Sequence, residues 1–147
     1  MTTAPETSLN GLDLLRAVAP LVSETQGIAR LLGMDVELME EGTVQIALTT
    51  RPDFANTPGD VHGGICATLL DTVTGCAVHT TLEAGVGYST LENKVTYTRT
   101  VPTSGSRLTA VGKTIHVGRR TATAEGEVRG EEWRLVAHGT TTCLIQR

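Results

Sequence analysis

The chain has 147 residues and a mass of 15.5 kDa, which is the size of a single domain able to bury its own core. The apolar fraction of 39%, the charged fraction of 19% and the net charge of -4 are typical of a globular protein and exclude a strongly basic nucleic-acid binder. Residues 1–10 lack the positive start and apolar core of a secretory leader, so we expect a cytoplasmic protein.

The three cysteines do not have the spacing of a disulfide framework or of a metal site. Cys66 and Cys76 lie on one predicted helix about 15 Å apart, too far to bond each other. We therefore expect small packing residues, and neither a metal nor a separate cofactor.

The first predicted element is a helical N-terminal segment over residues 1–32. Apolar residues recur at near-helical spacing from Leu12 to Val22, where Pro20 divides the run, and again from Ile28 to Leu32. Gly33 is a plausible C-cap. This segment is a candidate cover for a ligand pocket in the domain that follows.

The spacing of the apolar residues changes after Gly33. Alternating apolar and polar residues predict two strands, over 34–38 and 43–49, followed by a loop over 51–61 marked by prolines and glycines. From Ile65 to about Thr81 the residues are apolar or small on nearly every face, which predicts a helix buried on most sides.

Four β-rich runs complete the chain, over 87–101, 107–117, 121–129 and 133–145, and their short connections predict antiparallel neighbours. The economical arrangement is an α+β domain over 33–147 with an antiparallel sheet of five to six strands wrapped around one central helix, which is a hot-dog fold. Its open face and sheet edges require a partner subunit.

The glycine pair Gly63-Gly64 opens the central helix. Free N–H groups in the first turn of a helix, supported by its dipole, form an oxyanion hole, and glycine lets a substrate carbonyl approach the backbone closely. Gly63 is the candidate donor, and Gly64 the candidate substrate contact. The alternative is that the pair only makes a tight turn.

Asp71 places a carboxylate in the middle of this apolar helix, where it loses solvation unless it is paired or used. It is either a general base that deprotonates water, a nucleophile that attacks an acyl group, or a structural residue with a polar partner.

Gly63 and Asp71 are eight residues apart, which is about 12 Å along a straight helix. One carbonyl cannot contact both. If both act on one substrate, the carboxylate comes from a second copy whose helix runs antiparallel to the first, so a two-fold dimer has two identical composite sites.

The pattern Asn56-x-x-Gly59-x-x-His62-Gly63-Gly64, followed by six residues and Asp71, resembles the PaaI-type branch of the hot-dog acyl-CoA thioesterases, in the 4-hydroxybenzoyl-CoA thioesterase superfamily. The resemblance covers about residues 33–143. It continues through 89–92, 101–102, 115–119 and 135–140.

The resemblance implies that Asn56 and the Gly63 N–H contact the thioester from one subunit, whereas Asp71 and Thr90 come from the other. Asn56 positions the acyl group or water unless it is only a turn residue. Thr90 holds water against Asp71 unless it only reflects strand propensity. For His62 we favour support of the turn by a ring hydrogen bond over a general-base role.

Further residues are assigned with open alternatives. Arg119 and Arg120 either bind the phosphates of CoA or belong to a solvated turn. Trp133 is interpreted as a strand anchor. His79, His116 and His138 have no metal-site spacing and are interpreted as surface or packing residues.

The expected function is therefore hydrolysis of an aryl-CoA or a medium- or long-chain acyl-CoA, with CoA as part of the substrate and a homodimer or a tetramer of paired dimers as the assembly. No nucleic-acid or membrane partner is expected. The alternatives are a hot-dog hydratase or dehydratase and a non-catalytic acyl-CoA-binding protein.

Overall fold

The computed structural model describes residues 8–147. Helix α1 spans Gly11–Val18, a 3-10 turn that contains Pro20 spans Ala19–Leu21, and α2 spans Ile28–Leu32. The helical pieces predicted for the N-terminal segment are therefore present, while its first seven residues lie outside the described part. The first residue of α1 contacts the segment that follows the long central helix, because the Gly11 N–H donates to the Leu82 carbonyl at 2.9 Å.

The ends of these helices follow from their sequence. The side-chain oxygen of Asn10 accepts the Asp13 N–H at 2.9 Å and so caps α1. Gly33 ends α2 in the left-handed conformation, with a φ of 69°, as predicted for a C-cap.

Six strands form one fully antiparallel sheet in the order β1-β2-β4-β5-β6-β3. The strands are β1 Asp35–Glu40, β2 Thr43–Thr49, β3 Gly87–Tyr97, β4 Arg107–Val117, β5 Thr121–Arg129 and β6 Leu135–Gln146. The long helix α3, Gly63–His79, packs against one face of this sheet. The predicted hot-dog fold is confirmed.

The strand order corrects one prediction, because β3 and β4 are not neighbours. β3 ends at Tyr97 rather than at residue 101, so residues 98–106 are free to cross to β4 while β3 pairs with β6. Thr50 anchors this connection, since its hydroxyl donates to the Pro102 carbonyl at 3.0 Å and accepts the Ser106 N–H at 2.9 Å.

Trp133 is not a strand residue, which corrects a second prediction. It ends a 3-10 turn, Glu131–Trp133, and β6 begins only at Leu135. A hydrogen bond from the Gly130 N–H to the Arg134 carbonyl at 2.9 Å closes the turn. Trp133 has a φ of 59° and remains 54% exposed.

The sheet approaches α3 closely where its strands carry glycine. A Cβ at Gly112 of β4 would lie 2.3 Å from the Val73 carbonyl oxygen, and one at Gly126 of β5 would lie 3.0 Å from a Leu70 methyl group. Leu69, Leu70 and Val73 are fully buried in this contact. Among residues 8–147, no helix is long and apolar enough to cross a membrane.

Candidate active site

The start of α3 is shaped by His62. Its ring nitrogen Nδ1 accepts the Gly64 N–H at 2.8 Å, and its backbone N–H donates to the Phe54 carbonyl at 2.8 Å. The expected ring hydrogen bond is therefore present. Because Nδ1 accepts this bond, the neutral ring carries its hydrogen on Nε2, and Nδ1 is not free to take a proton from water.

Gly63 presents a free donor at this helix end. Its carbonyl accepts the Tyr97 hydroxyl at 2.7 Å, and the Ile65 N–H is used by the His62 carbonyl at 3.0 Å. Within residues 8–147, no hydrogen bond engages the Gly63 N–H. A half-buried, unused N–H at the positive end of a helix is suited to an oxygen that gains negative charge.

Asp71 lies two turns further along α3 and is exposed in the single chain. The carboxylate is therefore not desolvated in the single chain, because Asp71 lies on the flank of α3 beside the edge strand β3, where no other element of residues 8–147 covers it. One of its oxygens accepts the Thr90 hydroxyl at 2.8 Å. No hydrogen bond in the described part of the chain reaches the other oxygen, which is free to contact water.

A β-bulge in β3 aims Thr90 at Asp71. Thr90 pairs with Cys143 and Glu92 pairs with Thr142 of β6, so Leu91 is an extra residue between them. Residues on the two sides of the bulge can therefore both face α3: Thr90 before it, and Asn93 after it, whose amide donates to the Ala67 carbonyl at 3.3 Å.

Asn56 acts as a turn residue, which was one of the two roles considered for it. Its side-chain oxygen accepts the N–H groups of Gly59 and Asp60, both at 3.0 Å, and so stabilises the turn that leads to α3. Its amide nitrogen has no hydrogen bond among the described residues. A substrate contact by Asn56 would therefore have to be a donated hydrogen bond.

Arg119 and Arg120 are exposed in the connection between β4 and β5. This connection lies at the end of the sheet where Gly87 pairs with Gln146, whereas Gly63 lies at the opposite end, beside Tyr97. These arginines are thus far from the Gly63 of their own chain.

Sequence reasoning did not single out Tyr97. It is the last residue of β3, and its ring lies over Gly63, where a Cβ would come within 3.0 Å of the ring carbon Cζ. Half of its surface, 51%, is exposed. The residue type gave no sign of a functional role, because a tyrosine in a strand usually packs against neighbouring side chains. Only the register of β3 against α3 places Tyr97 at the site.

The remaining candidates are packing or surface residues. Burial raises the pKa of Cys66 to about 11 and, together with the charge of Asp71, that of Cys76 to about 11, so both thiols stay protonated at neutral pH. His79 packs against the ring of Tyr88 at 5.5 Å, and His116 and His138 are exposed. Among residues 8–147, no group of three or more His, Cys, Asp or Glu residues could hold a metal ion.

The class of protein that has this fold, with a free N–H at the start of the central helix and a carboxylate further along it, is the hot-dog thioester hydrolases. Residues 58–137, more than half of the chain, match the family model of the Thioesterase superfamily. The chain belongs to this family, and the resemblance predicted from the Asn56 to Asp71 motif is confirmed.

Known proteins resemble the chain over most of its length. A Halobacterium salinarum protein named as an esterase is 33% identical over 124 residues, covering 80% of each chain. The medium/long-chain acyl-CoA thioesterase YigI of Escherichia coli is 29% identical over 131 residues, which is 79% of this chain and 83% of YigI. The structure of E. coli PaaI, from the phenylacetic acid degradation operon, superposes with a TM-score of 0.78 at 23% identity, over 88% of this chain and 91% of PaaI.

Proposed function

We propose that this thioesterase hydrolyses an acyl-CoA, with an aryl or a medium- or long-chain acyl group, to the free acid and CoA. The observation that carries the proposal is the combination of an unused Gly63 N–H at the start of α3 with a carboxylate, Asp71, that Thr90 holds on the same helix. The similarity to YigI favours a medium- or long-chain acyl group.

Each group has a role that follows from its free atoms. The Gly63 N–H donates to the thioester oxygen as it gains negative charge. The free oxygen of Asp71 either takes a proton from water, whose hydroxide adds to the carbonyl carbon, or attacks that carbon itself to form an anhydride that water then opens. In both routes the C–S bond breaks and CoA leaves as a thiolate. Asn56 donates its amide hydrogen to the acyl group or to water.

The proposed site is shared between two protomers. Gly63 and Asp71 lie about 12 Å apart along α3, and the flank of α3 that carries Asp71 is uncovered in a single chain. An antiparallel second copy would bring its Asp71 and Thr90 to the first copy's Gly63. The assembly is then a dimer, or a tetramer of paired dimers.

The same arrangement gives Arg119 and Arg120 a role. They lie at the end of the sheet near the end of α3, so an antiparallel partner would present them toward the first copy's Gly63. Their guanidinium groups would contact the phosphates of a CoA whose thioester lies at Gly63.

Replacing Asp71 by Asn tests the proposal. The substitution keeps the size of the side chain and removes its basicity, so we expect kcat to fall by at least about 10²-fold while the melting temperature and the affinity for acyl-CoA stay close to wild type. The assay is thiol release over a panel of saturated and aryl acyl-CoA esters. Near-normal hydrolysis by Asp71→Asn would remove Asp71 from the mechanism.

The same panel separates the other functions. A hydratase or dehydratase releases no thiol from a saturated acyl-CoA, and a binding protein retains the ligand without turnover. Absence of thiol release by the wild-type protein across the whole panel would contradict the proposed function.

A further inference from the structure

The peptide unit that joins Gly63 to Gly64 is held at both of its ends. The Tyr97 hydroxyl donates to its carbonyl at 2.7 Å, and its N–H donates to Nδ1 of His62 at 2.8 Å. The preceding peptide unit is also held, because the His62 carbonyl accepts the Ile65 N–H at 3.0 Å. The free Gly63 N–H belongs to this preceding unit, and the two units meet at the Cα of Gly63.

Glycine gives the backbone more freedom than any other residue, so the direction of the Gly63 N–H depends on what fixes its neighbours. Tyr97 restricts this residue in two ways. Its hydroxyl fixes the carbonyl, and its ring lies where a side chain would be, with Cε1 and Cζ at 3.1 and 3.0 Å from the position of a Cβ. Tyr97 thus restricts the backbone of Gly63, which has no side chain that could hold it in place by packing.

We propose that Tyr97 is the positioning residue that aims the Gly63 N–H at the substrate carbonyl. The proposal rests on the proposed function and adds to it a residue that acts through Gly63 rather than on the thioester. Burial, with a smaller effect of Cys66, raises the pKa of the Tyr97 phenol, so its hydroxyl stays a donor at neutral and moderately basic pH.

Tyr88 provides a matched control on the same strand. It faces the buried Gly75 of α3, since a Cβ there would lie 2.6 Å from its hydroxyl oxygen. No described hydrogen bond uses the Tyr88 hydroxyl, and Gly75 is twelve residues from Gly63. Removing the hydroxyl there makes the same chemical change without touching the donor.

The kinetic test compares Tyr97→Phe with Tyr88→Phe. For Tyr97→Phe we expect kcat to fall about tenfold with KM within about twofold, less than the 10²- to 10³-fold loss from deleting an oxyanion donor outright. For Tyr88→Phe we expect kcat near wild type. Equal losses in the two variants, or a wild-type kcat in Tyr97→Phe, would overturn the proposal.

Spectroscopy tests the same role without turnover. In a non-hydrolysable analogue whose thioester sulfur is replaced by CH2, the infrared stretch of the labelled carbonyl reports its polarisation. We expect this stretch to move to lower frequency on binding to wild type and to return toward its solution value in Tyr97→Phe. An equal stretch in both proteins would count against the proposal.

A measurement on the free protein separates this inference from the proposed function. Nitrogen-15 relaxation of the Gly63 amide should show a rigid group in wild type and Tyr88→Phe, and increased motion in Tyr97→Phe. If wild type hydrolyses no acyl-CoA, the proposed function fails, while the relaxation data still decide the positioning role. Equal relaxation in Tyr97→Phe and wild type would overturn that role even in an active enzyme.

Discussion

At the scale of single residues, the Gly63 N–H is the group on which the proposed mechanism depends most directly. Its neighbours in the first turn of α3 are already engaged, with the Gly64 N–H on His62 and the Ile65 N–H on the His62 carbonyl. Helix starts commonly leave several N–H groups unsatisfied, so their engagement here singles out one donor.

Replacing Gly63 by Pro removes this donor at a position that suits proline. Proline is favoured in the first turn of a helix, and the ψ of 135° at His62 is compatible with a following proline. We expect Gly63→Pro to retain the helix content of wild type, measured by circular dichroism, and to lose about 10²- to 10³-fold in kcat.

Gly63→Ala is the matched control for this change. It keeps the N–H and adds a Cβ 3.0 Å from the Tyr97 ring, which has to shift by a few tenths of an ångström. Its kcat should therefore stay well above that of Gly63→Pro. Similar activities in the two variants would show that the N–H is not the donor.

At the scale of elements, β3 contacts α3 along most of the helix, both at the candidate site and beyond it. Tyr88, Thr90, Asn93 and Tyr97 contact α3 at Gly75, Asp71, Ala67 and Gly63 respectively, which are four residues apart along the helix. One strand thus runs along 13 of the 17 residues of α3, and its register decides which side chain meets which turn.

Deleting Leu91 tests the importance of that register. Without Leu91, the pairs of Thr90 with Cys143 and of Glu92 with Thr142 become consecutive, so Thr90 and Asn93 are two positions apart on a regular strand and still face the same side of the sheet. We expect the deletion to keep a kcat well above that of Asp71→Asn, because Thr90 still faces Asp71. A kcat as low as that of Asp71→Asn would show that the bulge itself, and not only the register, aims Thr90. Leu91→Ala keeps the bulge, so it should retain a near-wild-type melting temperature.

The sequence predicted the elements with local signals well. β4 and β5 have the predicted boundaries, because Gly118 and Gly130 interrupt the alternation at their ends. β3 was predicted too long, since residues 98–101 continue the β-rich composition, and the pairing of β3 with β6 has no local signal at all.

For the candidate site, the sequence predicted which residues lie on α3 but not their surroundings. The spacing from Asn56 to Asp71 placed the glycine pair and the carboxylate on α3. It could not show that Asp71 is exposed or that Tyr97 contacts Gly63, because both depend on which flank of the helix the edge strand follows.

At the scale of the whole molecule, the proposed sharing of the site between two protomers makes a prediction about mixed assemblies. Asp71→Asn and Gly63→Pro should each be nearly inactive alone. In a dimer of one chain of each kind, one site combines an intact Gly63 with an intact Asp71, so an equal mixture refolded together should recover about a quarter of wild-type activity.

The control for this experiment is the same two variants mixed without unfolding, which should recover activity only as fast as subunits exchange. If the refolded mixture is no more active than the two variants measured separately, each site lies within one chain. A monomeric wild type with full activity, measured by light scattering at assay concentration, would have the same meaning.

The close approach of the sheet to α3 also limits where a bound acyl chain can go. At Gly112 and Gly126 the helix lies against the strands so tightly that even a methyl group would meet Val73 or Leu70. If the proposed site binds a thioester at Gly63, we expect its hydrocarbon tail not to pass between α3 and the sheet at these two glycines. We expect the tail to follow the flank of α3 that carries the partly exposed Thr68 and Thr72, whose lining side chains would then determine which tail lengths fit.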